Sequence, residues 1–493
     1  MIAYNLPALA VIIPLLTAPV VALLPNRHQL PWLGTLLTVL ATFAVSVALL
    51  YLAMTQGAMS YAMGGWVPPY GIEVRIDAVN ALVLMLVNAI ALVSLLYGLG
   101  SNQQEIPLAQ QSLFYTAFLL CLMGLAGIAL TGDLFNLFVF VEISSLGTYA
   151  LIACGRDRRA LTSAFQYLIM GTIGATFILI AVGLLYSITG TLNMLDLAER
   201  LPEANAPRTT VTAMAFMVVG LALKVAIFPL HLWLPGAYTM APNFVTIFLA
   251  ATATKVALYA LIRVIYTVFG VEFAFSAAPL GLMLLVLSIV AAFSGSIVAV
   301  YQNNLKRLLA YSSVAQVGYM TLGVSLATTL GLAAGLLHLF NHALMKAALF
   351  MAVGCIFYAT GSVKLDALRG IGKTMPWTVT AFVLAGLSLV GVPLTAGFVS
   401  KWYLVQALLE ADFALVALLV MISSLIAVIY LWKVVEAAWF HEPSAAAANP
   451  RPVPRLMLAT LWLMVAANFY FGIHTVVSVD VALYAAELLK GGQ

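Results

Sequence analysis

Runs of about twenty apolar residues recur along the whole chain, each closed by a short polar break. A helix rises about 1.5 Å per residue, so such a run is long enough to cross a hydrocarbon core roughly 30 Å thick. The pattern predicts fourteen spans, at residues 6–24, 31–53, 77–98, 112–131, 134–153, 161–187, 210–234, 244–267, 279–300, 308–326, 330–358, 377–409, 413–436 and 456–477. Prolines interrupt the seventh and the twelfth, so these two are expected to be broken helices. The expected fold class is an all-α integral membrane protein.

Composition agrees with this class. Of 493 residues, 64% are hydrophobic and 8% charged, against roughly 45–50% and about 25% in soluble domains. A net charge of +4 with no basic tract offers nothing suited to nucleic acid. Cys121, Cys154 and Cys355 are far apart within apolar runs, which argues against thiol redox chemistry and iron–sulfur clusters; no cofactor is expected. The first span has no basic leader and reads as a retained helix rather than a cleaved signal.

Orientation follows from the basic residues between spans. Odd-numbered connections hold Arg27; Arg156, Arg158 and Arg159; Lys306 and Arg307; Lys364, Arg369 and Lys373; and Arg451 and Arg455. Even-numbered ones hold Arg75, Arg200 and Arg208. This asymmetry predicts cytoplasmic odd connections and both termini outside, in the plasma membrane.

The chain also repeats itself. AVGLLYSITGTLNMLDL (181–197) aligns without gaps on AVGCIFYATGSVKLDAL (352–368), and GLALKVAIFP (220–229) is echoed by GLSLVGVP (386–393). The offsets, 171 and 166 residues, nearly agree. Each unit holds five spans, an odd number, so the second copy enters the membrane from the opposite side, as in transporters built from inverted repeats. The expected organisation is a three-helix segment (1–111), two five-helix units (112–268 and 279–436), and a C-terminal helix and tail (437–493).

Five charged residues stand away from span ends: Glu142, Lys224, Lys255, Lys346 and Lys401. Glu142 lies nine residues past Asp133, roughly 13 Å deep if Asp133 starts the helix at the outer surface. A lysine at mid-membrane costs about 2.5–3.5 kcal/mol even on the mildest scale, so four cost on the order of 10–14 kcal/mol. One carboxylate cannot neutralise four ammonium groups. The sites must be wetted, or some amines must shed their proton part of the time, which burial and like-charged neighbours both favour. A group that gains and loses a proton at neutral pH meets the requirement for a relay. Arg263 and Lys433 lie near span ends and are expected to snorkel.

Lys224 and Pro229, and likewise Pro393 and Lys401, sit close together. A proline break frees backbone carbonyls, and those carbonyls with water are expected to provide the polar surroundings each lysine needs. HLFNHALMK (338–346) places His338, His342 and Lys346 on one helical stripe. Packing histidines, a zinc-binding HxxxH without a third ligand, and titratable histidines passing protons are all readings of this stripe; the last suits imidazole chemistry best. His231 is open between a relay role and a hydrogen bond to the helix break. Ser144, Ser145, Ser312, Ser313, Gln316 and Tyr319 are candidates to hold water or to bond between helices.

TGDLFNLFVFVEISSLGTYAL (131–151), LKVAIFPLHLWLPGAY (223–238), TKVALYALIRV (254–264), NNLKRLLAYSSVAQVGYM (303–320) and HLFNHALMKAALF (338–350) together resemble the antiporter-like proton-translocating membrane proteins. That family includes the D-type component of Mrp-type multisubunit Na+/H+ antiporters, the large antiporter-like subunits of complex I and relatives in membrane-bound hydrogenases. The resemblance spans about residues 75–440, and the wording of 131–151 looks most like the Mrp type. It implies fourteen helices, two inverted five-helix units and broken seventh and twelfth helices. It also implies that Glu142 pairs with Lys224, that Lys255 is the eighth-helix lysine and that His338 and Lys346 belong to an eleventh-helix relay. Lys401 takes the twelfth-helix place, where one complex I type carries glutamate. The implied function is a transporter subunit rather than an enzyme, working with other membrane subunits in the lipid bilayer on protons and Na+. The alternative is a proton-pumping subunit of a redox complex.

Overall fold

The structure, a computed structural model, describes residues 2–27, 29–277 and 279–491. Helix α1 (Ile2–Leu23) and α2 (Leu30–Gln56) lead into a two-stranded antiparallel hairpin, β1 (Met59–Ala62) and β2 (Glu73–Ile76), with Met59 opposite Ile76. Helices α3 (Ala78–Glu105), α4 (Gln111–Leu130), α5 (Leu134–Ala153) and α6 (Arg159–Thr189) follow. The amphipathic α7 (Met194–Glu203) connects to α8 (Pro207–Val225), α9 (Trp233–Met240), α10 (Asn243–Ala251) and α11 (Ala253–Arg263). The second half contains α12 (Leu280–Val300), α13 (Leu305–Ser325), α14 (Thr329–Thr360), the one-turn α15 (Ile371–Thr374), α16 (Pro376–Val390), α17 (Ala396–Glu410) and α18 (Ala414–Trp439). The chain closes with α19 (Ala445–Ala448), α20 (Arg455–Ile473) and α21 (Val476–Gly491).

Twelve helices among the described residues are long and apolar enough to cross a membrane. The other two expected spans are α13, which is 21 residues long but carries more polar groups, and the pair α16–α17. Polar side chains set the starts. Asp77 accepts from the Val79 and Asn80 amides to cap α3, Asp133 from Asn136 to cap α5, and Asn304 from Arg307 to cap α13. Asp133 thus occupies the helix start expected of it.

The internal repeat is visible as repeated hydrogen bonds. Asp133 bridges to Asn193 just beyond the end of α6, and Asn304 bridges to Lys364 just beyond the end of α14. Both helices end at a left-handed glycine, Gly190 and Gly361, each with φ 72°. Thr189 and Thr360, one residue earlier, make the same pair of carbonyl bonds four residues back and two residues on. All these partners lie 171 residues apart, the offset read from the sequence.

The broken helices share one turn as well. In the first, the Ala226 amide bonds back to Ala222 and Leu223, and the Ile227 amide to Ala222. In the second, Gly391 bonds to Leu387 and Ser388, and Val392 to Leu387. Both chains leave the helix through a left-handed residue before they reach Pro229 or Pro393. The prolines keep the helix from resuming; they do not stop it. A third interruption falls in the eighth span, at Thr252 (φ −125°, ψ −58°), followed by a π-helical end at Val264–Phe269.

Helix α14 is buried almost end to end and packs on α10, α13, α16, α17, α20 and α21. Large apolar side chains instead stand exposed on α2, α6, α12 and α18, for example Leu37, Phe165, Leu282 and Leu425, as a lipid-facing surface requires.

Candidate functional site

Glu142 projects from the middle of α5 toward Lys224 in the last turn of α8. The Nζ–Oε1 distance is 3.5 Å, and the ammonium donates to Ser145 Oγ at 2.7 Å. At an effective dielectric of about 20 the gross attraction is about 5 kcal/mol, most of it offset by desolvation of the two groups. Helix α6 closes over the pair. A Cβ on Gly171 would meet the Tyr149 hydroxyl at 1.9 Å and Lys224 Nζ at 3.2 Å, so only glycine lets α6 approach this closely. Beside Lys224 lies a cavity of about 30 Å³, room for one or two waters. Ser144, Ser145 and Thr148 line one side, and Ala253 and Ala257 of α11, which flank Lys255, line the other.

Lys255 is wholly enclosed, and its ammonium donates to the Ala250 carbonyl at the α10–α11 interruption and to Thr254 Oγ1. Helix α10, whose Ala250 carbonyl it meets, packs on α14, the helix that carries His338, His342 and Lys346. Lys346 donates to the Leu309 carbonyl at 2.8 Å and to Ser312 Oγ. The imidazole of His338 bridges Ser400 Oγ (2.8 Å, through Nδ1) and Gln316 Oε1 (2.9 Å, through Nε2). With Gln316 presenting its carbonyl oxygen, the neutral ring carries its hydrogen on Nε2. The His342 ring lies 6.2 Å away, nearly parallel, and both of its nitrogens are buried without a hydrogen-bond partner.

Lys401 ends the series. It reaches back across the α16–α17 break and donates to the carbonyls of Leu389 (2.9 Å) and Val390 (2.8 Å) and to Ser424 Oγ (2.9 Å). Its ammonium also lies 5.0 Å from the centroid of the Tyr319 ring.

Several expectations are corrected by these contacts. Break carbonyls hold Lys401 but not Lys224; at the first break the Leu223 carbonyl is taken by the Trp233 indole at 2.9 Å. Arg263 does not snorkel. The helix turns it inward against the start of α3, where it pairs with Asp77 at 2.6 Å and bonds Tyr259 at 3.1 Å. Lys433, unlike Arg263, does extend to a span end, where it bonds the Val300 and Gln302 carbonyls. Lys306, counted among loop charges, is buried and donates to Ala241 O at 2.7 Å. His231 stacks on Phe228 at 5.3 Å and leaves Nδ1 unpartnered. Ser144 and Ser313 bond carbonyls of their own helices. Ser400, Ser423, Ser424 and Tyr430 were not singled out. The signals for them were Ser400 directly before Lys401 and a Ser–Ser pair inside an otherwise apolar span.

Chemically, the arrangement is a series of buried bases, all but His342 bonded to hydroxyls or carbonyls. Of the four lysines, Lys224 faces a carboxylate; the contacts of Lys255, Lys346 and Lys401 are neutral acceptors. An amine held by neutral acceptors can release its proton without stranding a buried counter-charge.

Residues 131–427 match the family model described as NADH:quinone oxidoreductase/Mrp antiporter, transmembrane. The chain is 45% identical over 460 residues to the N-type subunit of an NADH-quinone oxidoreductase from Desulforudis audaxviator, covering 91% of this chain and 90% of the relative. It is 30% identical to the D-type subunit of a Na(+)/H(+) antiporter from Alkalihalophilus pseudofirmus, with 99% of each covered. Among solved structures, a chain of the Mrp complex from Dietzia sp. DQ12-45-1b superposes with a TM-score of 0.91 at 25% identity, covering 100% of this chain and 98% of that one. A chain of an archaeal membrane-bound sulfane sulfur reductase gives 0.90 at 29% identity, covering 99% and 98%.

Proposed function

The chain belongs to the NADH:quinone oxidoreductase/Mrp antiporter transmembrane family, and from that membership we propose that it moves protons through the buried Glu142–Lys224–Lys255–Lys346–His342/His338–Lys401 series as one subunit of a multisubunit cation/proton antiporter. The observation that carries the reading is the surroundings of the amines: three of four sit on neutral acceptors, so their charge is not pinned by a fixed carboxylate. The cavity beside Lys224 gives a water a place between the Glu142–Lys224 pair and α11.

Partners follow from Glu142. Its side chain is 26% exposed on the outer face of α5, on the same face as the exposed Phe135 and Leu146. A mid-membrane carboxylate facing lipid is unfavourable by several kcal/mol, roughly as large as the attraction to Lys224. Another membrane subunit therefore covers this face. The two five-helix units are the working parts, both termini lie outside, and exchange of Na+ for protons belongs to the assembly in the plasma membrane.

A second reading, a proton-pumping subunit of a redox complex, is favoured by the 45% identical relative from an NADH-quinone oxidoreductase. It uses the same residues under a different drive. Subunits that copurify separate the two: quinone or iron–sulfur proteins favour the redox complex, and small cofactor-free membrane subunits favour the antiporter.

The test is Glu142→Gln or Lys224→Ala in the assembled complex, reading Na+-driven proton movement into vesicles. Both are expected to lower the rate at least about tenfold, as loss of a proton-transfer group does, with normal assembly. Full activity with normal assembly would overturn the proposal.

A further inference from the structure

The contacts of the series leave one stretch unexplained. Between Lys346 and Lys401 the histidines provide an incomplete link: His338 is tied to Ser400 and Gln316, but His342 has no hydrogen bond, and its ring stacks on His338 rather than pointing a nitrogen at it. A second set of groups spans the same stretch. On α13, Ser312 and Tyr319 lie seven residues, two helical turns, apart on one face; on α18, Ser423 and Tyr430 do the same. Both α18 residues are wholly buried.

The two faces meet. The hydroxyl of Tyr319 lies 2.6 Å from Ser423 Oγ and 3.4 Å from Ser424 Oγ, and Ser424 Oγ accepts from Lys401 at 2.9 Å. At the other end Lys346 donates to Ser312 Oγ. Tyr430 stands in the gap. Seven residues past Ser423 on the same face of α18, it falls opposite Ser312 as Ser423 falls opposite Tyr319, and its hydroxyl is buried without a hydrogen-bond partner. An unpaired buried hydroxyl destabilises a fold, and phenylalanine would pack as well without it. A residue that keeps the hydroxyl there needs a reason other than stability.

We propose that protons pass between Lys346 and Lys401 along a ladder of hydroxyls shared by α13 and α18, with Tyr430 as its middle rung, in parallel with the histidine route. This rests on the proton-moving reading above and extends it to residues on α18. Each hydroxyl accepts a proton at oxygen as it gives up its own, so the ammonium of Lys346 loses one proton, the amine of Lys401 gains one, and no rung changes its charge. Rotation of each O–H about its C–O bond then resets the ladder. Side-chain motion of Tyr430 is what closes its contacts to the neighbouring rungs.

Parallel routes have a signature that a single series lacks: losing either leaves the other, and losing both is worse than the product of the two losses. The experiment compares Tyr430→Phe, His342→Leu and the double variant in the assembled complex, with proton uptake into vesicles normalised to the amount of complex. Each single variant is expected to retain a fraction of the rate, about two- to fivefold down, and the double to fall at least about tenfold below the poorer single. Tyr319→Phe keeps the ring under Lys401, removes the adjacent rung and is expected to behave as Tyr430→Phe does. Lys346→Ala is the control for the parent reading. A dead Lys346→Ala beside wild-type rates for both tyrosine variants, alone and with His342→Leu, overturns the ladder alone. Full transport by Lys346→Ala overturns the relay itself. Tyrosine variants that lower the amount of complex but not the rate per complex show a packing role and also overturn the ladder.

Discussion

The two broken helices use the same turn and fill it with different chemistry. Each leaves the helix through a left-handed residue, Ala226 or Gly391, with matching backbone bonds 165 residues apart. At the first break a tryptophan indole joins the Ala226 amide on the Leu223 carbonyl, and Lys224 is left to face Glu142. At the second a lysine covers two freed carbonyls itself. One backbone device thus gives a charge-paired site in one half and a charge held by dipoles in the other. The paired amine faces a carboxylate; the other is held by two carbonyls and a hydroxyl, all neutral. In the proposed relay these two stations are unequal, and the difference arises from the side chains placed around a shared turn.

The tightest point of the contrast lies at the start of the second half-helix in each unit. A Cβ on Gly397 would lie 1.8 Å from the Ser388 carbonyl oxygen, against backbone that cannot yield. Gly236, the fourth residue of the half-helix α9 in the first unit, has as its nearest neighbour the Ser163 hydroxyl at 3.4 Å. Gly397→Ala is therefore expected to destabilise by about 3 kcal/mol or more, and Gly236→Ala by less than about 0.5 kcal/mol. Thermal unfolding of the purified complex reads both, and equal effects would show that the two breaks are packed alike.

A smaller effect tests the carbonyl covers. Trp233→Phe keeps the stack on Tyr167 (4.0 Å, 11°) but takes the indole donor from the Leu223 carbonyl, leaving it only the Ala226 amide. It is expected to lower stability by about 1 kcal/mol and leave transport per complex unchanged. Lys401→Met frees two carbonyls but also removes a buried ammonium, and these opposed terms are of similar size. Its stability is expected to stay within about 1 kcal/mol of wild type while transport is lost. If Trp233→Phe were the transport-defective variant, the first break would be part of the relay.

Much of this was legible in the sequence, because membrane spans, proline-flanked breaks and buried charges are local signals. The repeat was legible for the same reason, with Thr189–Gly190 and Thr360–Gly361 capping equivalent helices. What was not legible depends on pairings across the fold. No glycine or proline marks the interruption at Thr252, where Lys255 donates to the Ala250 carbonyl. Asp77 and Arg263 are 186 residues apart, and Tyr319 and Ser423 are 104 apart, so neither contact has a sequence pattern of its own. Lys306 looked like a loop charge because it lies at a span boundary; its partner, Ala241 O, belongs to a helix end 65 residues earlier.

The smallest expected effect concerns the turn itself. Ala226 holds φ 64° and ψ 43°, the left-handed region, where a Cβ costs about 1–2 kcal/mol. Ala226→Gly would relieve that strain. It would also free the unfolded chain, a loss of about 0.5–1 kcal/mol, and remove a buried methyl worth about 0.8 kcal/mol. The three terms nearly cancel, so the thermal midpoint is expected to move by no more than about 0.5 kcal/mol equivalent. The position of Gly391 differs: at φ 92° a Cβ would lie 2.9 Å from Lys401 Cδ, so glycine there serves the lysine as well as the turn. A large gain from Ala226→Gly would mean that the alanine methyl packs against nothing useful. The first break would then differ from the second by strain as well as by its charge partner.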